Sequence, residues 1–128
     1  MTLTTGPLTQ LPSLDRWLSD HGKEIADAIE FCRCTLDPTP ERLNELSAEV
    51  NAMSANLGYL LSDCESYLVG EKARAIKDMP EDLGPTSQKA FVEDRTKDLR
   101  RLRDNLKVTV RSLRSISINI FGIRKATR

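Results

Sequence analysis

The chain has 128 residues, 39% of them hydrophobic but only 5% aromatic, and its nineteen Lys/Arg balance nineteen Asp/Glu. That length suits a single domain and excludes two large cores. The zero total hides a split: residues 1–86 hold seven cations and fifteen anions, whereas residues 87–128 hold twelve and four. One end therefore presents a field that attracts phosphate, and the other repels it.

No run approaches the roughly 20 apolar residues of a membrane span. The start lacks the basic and apolar regions of a secretory signal, so a cytoplasmic protein is expected, in host cytoplasm if viral. An odd cysteine count (Cys32, Cys34, Cys64) fits a reducing compartment. Cys32-Arg33-Cys34 has no second ligand pair, and His21 is the single histidine. A zinc site needs four spaced ligands, so neither metal nor cofactor is expected.

Residues 1–12, rich in Thr, Gly and Pro, read as a flexible arm before a single helical domain over 13–128. Ser13 is a candidate N-cap with Asp15 in the first turn. Leu14, Leu18, His21, Ile25, Ala28 and Cys32 recur at helical spacing, widened by Trp17, Ile29 and Leu36. Asp37-Pro38-Thr39-Pro40 ends this first helix, because proline cannot continue the ladder.

Thr39 is placed as cap of a second helix with Pro40 at its first position. Its apolar register is Leu43, Leu46, Val50, Met53, Leu57, Leu60, Cys64 and Tyr67, alternating steps of three and four as in a coiled coil. Continued through Ala73 and Ile76 to a stop at Met79-Pro80, about 38 residues give a rod of roughly 57 Å. An acidic turn over 78–86 follows, then a third helix capped by Thr86 or Ser87. The buried stripe predicted for that helix is Leu99, Leu102, Leu106, Val110 and Leu113, extended by Phe91, Val92 and Ile116. The resulting fold is all-α, a long antiparallel hairpin with the shorter first helix packed on it. Ile116 to Ile123 alternates apolar and polar residues like a strand, or ends the helix. In either form it is too apolar for water. Ile116, Ile118, Ile120, Phe121 and Ile123 are therefore read as covered by another copy of the chain.

Catalytic signatures are absent: no Gly-rich phosphate loop, no G-x-S-x-G, no HExxH and no CxxC pair occurs. His21 lies on an apolar stripe and reads as a core or interface residue, and the paired acids Asp63/Glu65 and Glu81/Asp82 read as solvated surface. A non-enzymatic protein is expected.

The constellation that stands out is cationic. Arg100, Arg103, Lys107, Arg111 and Arg114 each directly follow a member of the third helix's stripe, about 100° around the helix, and so form a ridge beside the core. Arg124 and Lys125 extend it toward the C-terminus, and Thr109, Ser112 and Ser115 add hydroxyls. Such rows bind phosphate oxygens without sequence preference. With no exposed aromatics expected to stack bases, binding is expected to be backbone-driven, salt-sensitive and multiplied by oligomerisation. The rival expectation is neutralisation by Glu41, Glu45, Glu49, Asp63 and Glu65 of the second helix. The ridge reading predicts that Arg103→Glu with Arg111→Glu abolishes binding while leaving helicity intact.

A short helix, a long helix of the type AMSANLGYLLSDCESYLVGEKARAI, a Pro/Gly break and then TSQKAFVEDRTKDLRRLRDNLKVTVRSLRSI together resemble the UvsY-type recombination mediators of tailed phages. The likeness spans roughly residues 46–118 and includes Lys72 and Ala73 before the break and Lys89 opening the last helix. It implies a ring-forming homo-oligomer that binds single-stranded DNA and helps load a recombinase onto strands covered by single-strand-binding protein, with 116–123 as the oligomer-forming segment. The acidic first third and Asp37–Pro40 depart from that family. The competing class is a phage-type helical adaptor or inhibitor that binds a host or phage protein without nucleic acid.

Overall fold

The structure, a computed structural model, describes residues 11–33 and 40–126, the side chains of Pro40 and of residues 123–126 excepted. Among the described residues are three α-helices and no strand: α1 (Leu14–Arg33), α2 (Leu43–Asp78) and α3 (Pro85–Ala126), with a 3-10 turn at Pro40–Arg42 leading into α2. The expected cap Thr39, the margin residue Leu36 and most of the arm over 1–12 lie outside the described residues. The chain divides into two compact units between Asp37 and Pro38, α1 in the first and α2 with α3 in the second.

Ser13 caps α1. Its Oγ accepts the Arg16 N–H at 3.4 Å and its carbonyl accepts the Trp17 N–H at 2.9 Å, which satisfies donors that a helix start leaves orphaned. The buried stripe of α1 is Trp17, Ile25 and Ala28, with Leu14, His21, Ile29 and Cys32 half-buried and Leu18 exposed. The face is thus centred on Trp17, one position before the expected Leu18. The His21 ring lies 5.4 Å from the indole of Trp17, tilted by 54°, and its Nδ1 meets the Glu24 carboxylate.

The helices α2 and α3 pack extensively against each other. Their cross-contacts fix an antiparallel register. Asp78 meets Arg95 at 3.0 Å near the turn, the Cys64 thiol donates to the Leu99 carbonyl at 3.8 Å further along, and Ser117 donates to Asn51 Oδ1 at 3.1 Å toward the open end. With 36 residues, α2 is about 54 Å long. It stops at Met79, whose backbone is extended (ψ 134°) as the following proline demands.

The expected cap of α3 is corrected. The helix begins at Pro85, before Thr86 and Ser87, and the Gly84 carbonyl accepts the Gln88 N–H at 2.9 Å. Proline is preorganised for a first helical position, so the chain turns helical two residues earlier than a Thr86 cap would place it, and three earlier than a Ser87 cap. The Gln88 side chain reaches back to the Leu83 carbonyl at 2.8 Å and closes the turn.

In α2 the buried residues are Leu43, Leu46, Val50, Leu57, Leu60, Cys64, Leu68 and Ala75. The coiled-coil spacing therefore holds to Cys64 and then takes a second step of four, to Leu68 instead of Tyr67. Such a stutter locally unwinds the supercoil and leaves Tyr67 half-buried at the edge.

Residues 116–126 continue α3 as helix, resolving the strand-or-helix ambiguity. At helical spacing the segment's apolar residues part company: Ile120 is buried and Ile116 half-buried, while Ile118 and Phe121 stand 70% and 67% exposed.

Candidate nucleic-acid interface

The seam of α3 determines where its cations point. Thr96, Leu99, Leu106, Val110, Leu113 and Ile120 are buried, and Val92, Arg103 and Ser117 are half-buried. From Val92 to Ile120 these positions alternate steps of four and three without a break. The expected stripe placed Leu102 where the alternation requires Arg103. Leu102 is half-buried beside the seam, and a cation occupies a core-type position.

That changes the ridge. Arg103 is 25% exposed, and its Nε and Nη2 both meet Asp104 Oδ1, at 3.1 and 3.0 Å. Arg100 is half-buried and folds back along its own helix, donating to Thr96 Oγ1 at 3.2 Å and to the Glu93 carbonyl at 2.7 Å. Thr96 is itself fully buried and donates to the Val92 carbonyl at 2.9 Å. Arg100 and Arg103 are thus committed to the hairpin.

Lys107, Arg111 and Arg114 differ. All three are exposed and, among the described residues, none makes a hydrogen bond or ion pair. Of the five acids expected to neutralise them, Glu41, Glu45, Glu49 and Glu65 are exposed and Asp63 is half-buried, and none makes an ion pair with them. The ion pairs present lie elsewhere: Arg16–Asp20, Arg74–Glu71, Lys89–Glu93, Arg95–Asp78 and Arg103–Asp104, besides His21–Glu24. Arg124 and Lys125 fall on α3, but their side chains, like that of Ile123, are outside the described residues. Of the hydroxyls, Thr109 is buried and donates to the Asn105 carbonyl at 2.7 Å, so it faces the core; Ser115 is exposed and Ser112 half-buried.

Ile118 and Phe121 continue the line of Lys107, Arg111 and Arg114 at steps of four and three. The exposed face of α3 is therefore cationic along its middle and apolar toward its end. A phosphate backbone suits the first part, and an apolar partner surface suits the second.

No group of three or more His, Cys, Asp or Glu is gathered among the described residues. No described helix is long and apolar enough to cross a membrane.

Beside Arg103, Cys64 is fully buried. Burial pushes its thiol from 9.0 up to about 11; the Arg103 guanidinium pulls it back in part, and Glu65 and Asp63 push it further up. The fold prefers the neutral thiol, so this stabilisation is whole below the unfolded value and is lost as pH rises through the native one. The stability advantage of the parent over Cys64→Ala should shrink by about 2–3 kcal/mol between pH 8 and pH 11, measured by denaturant titration.

Compared with known proteins, the chain matches no family model, no curated protein and no solved structure.

Proposed function

We propose that the protein is a non-enzymatic accessory factor that binds single-stranded DNA as a homo-oligomer. The supporting observation is the group of three exposed, unpaired cations, Lys107, Arg111 and Arg114, in a stretch of sequence with no acid after Asp104. The long α2–α3 hairpin holds them on one rigid helix, and the exposed Ile118 and Phe121 offer the surface for self-association. The resemblance to UvsY-type mediators suggests the setting, phage-type recombination, with a recombinase or single-strand-binding protein as further partners.

A row of three phosphate contacts predicts a particular salt response. For single strands the slope of log affinity against log salt is about −0.7 per contact, hence about −2 per hairpin, or roughly a 20-fold loss between 50 and 200 mM salt. Fluorescence anisotropy with a labelled oligonucleotide measures it. An affinity that does not change with salt would sink the reading.

The exposed Ile118 and Phe121 also favour a second reading, a helical adaptor or inhibitor that captures a host or phage protein. Under that reading a pull-down recovers a protein partner whose binding is lost in Ile118→Asp/Phe121→Asp and ignores salt.

A further inference from the structure

The outward face of α2 carries a second repeat that the hairpin does not use. Ala48, Ala52, Ala55, Tyr59, Ser62, Ser66, Val69, Ala73 and Ile76 follow one another at alternating steps of four and three, and none is charged. All are exposed, Tyr59 by 75%, Val69 by 70% and Ile76 by 63%. An exposed helix face in a chain that is 30% charged is ordinarily charged; this one has the period and composition of a packed seam.

Two features indicate what it packs against. The two ends of the rod differ in charge: Glu41, in the 3-10 turn leading into α2, with Glu45 and Glu49 outnumber Arg42 at the start, and Lys72, Arg74 and Lys77 outnumber Glu71 and Asp78 at the finish. Two antiparallel copies of α2 crossing at Tyr59 would set Glu45 level with Ala73, between Lys72 and Arg74, and Glu41 level with Lys77, twice over; a parallel pair would oppose like charges. Gly70 is the second feature. Glycine inside a helix costs about 1 kcal/mol relative to alanine, yet a Cβ added there meets nothing within 4 Å, so the hairpin does not need the gap. In the antiparallel pair Gly70 lies level with Ala48, where a second backbone must come close.

We infer that a second copy of this chain packs on the outer face of α2, antiparallel, with the twofold axis at Tyr59. The inference is independent of DNA binding and is tested without DNA. By light scattering coupled to chromatography over a wide concentration range, Tyr59→Glu and Gly70→Gln should each halve the mass reached by the parent at high concentration, with unchanged helicity. Ile118→Asp/Phe121→Asp should keep the Tyr59-dependent step, separating this contact from any at the end of α3. Glu45→Lys should weaken association at least tenfold, and adding Arg74→Glu should restore it.

Oxidative cross-linking fixes the direction. In a Cys32→Ser/Cys34→Ser background, Tyr59→Cys should link to itself, whereas Ala48→Cys should link to Gly70→Cys but not to another Ala48→Cys. A parent that stays monomeric, or Ala48→Cys linking to itself, overturns the antiparallel pair.

Discussion

Reversing Lys107, Arg111 and Arg114 together to glutamate should cost about 100-fold in affinity for a single-stranded oligonucleotide at ~0.1 M salt. The magnitude follows from counterion release: three contacts at about 0.7 each supply roughly two powers of ten at that ionic strength, and repulsion by the new carboxylates adds to the loss. The salt slope should fall toward zero in the same variant. All three side chains are exposed and unpaired within the described residues, so the hairpin should lose little stability, each site being worth within about 0.5 kcal/mol. Circular dichroism and thermal unfolding supply that control. This triple variant tests binding more cleanly than Arg103→Glu with Arg111→Glu, because Arg103 lies in the seam next to the buried Cys64. A glutamate there would desolvate a carboxylate and damage the fold along with any site. A triple variant that binds within a factor of two of the parent would remove the nucleic-acid reading and leave the protein-partner one.

The sequence made the helices legible because two signals agreed in each: a breaker at the boundary and an apolar repeat inside. Asp37–Pro40 and Met79–Pro85 divide the chain, and the leucines between them carry the period. The seam is hidden where polar residues take core positions. Thr96 and Arg103 interrupt an apolar reading of α3, so Leu102 looked like the missing member, although strict alternation from Val92 to Ile120 would have selected Arg103. Tyr67 misled similarly in α2, where a stutter moves the seam to Leu68. The same substitution of period for composition divides the ridge. Arg100 and Arg103 looked equivalent to Lys107, Arg111 and Arg114, but Arg103 falls into the seam and Arg100 reaches Thr96 and Glu93, while the other three remain in water. Ion pairing across the hairpin was not legible either, since it depends on which flank each acid occupies, and one residue of register moves a carboxylate by about 100°.

Truncating Leu106 to alanine should destabilise the hairpin by about 2–5 kcal/mol, the usual cost of a buried leucine cavity. Leu106 is fully buried, midway between the cross-helix contacts of Cys64 with Leu99 and of Asn51 with Ser117. Since small domains are stable by only about 5–15 kcal/mol, the variant should show a clearly lower denaturation midpoint with an unchanged dependence on denaturant. Leu102→Ala, one turn away on the half-buried flank, should cost less than half as much. That contrast distinguishes the two registers proposed for α3. If Leu102 were a seam residue, its truncation would cost as much as that of Leu106, Arg103 would swing outward, and the cationic row would regain a fourth exposed member. Equal losses for the two leucines would therefore reject both the packing and the division of the ridge that rests on it.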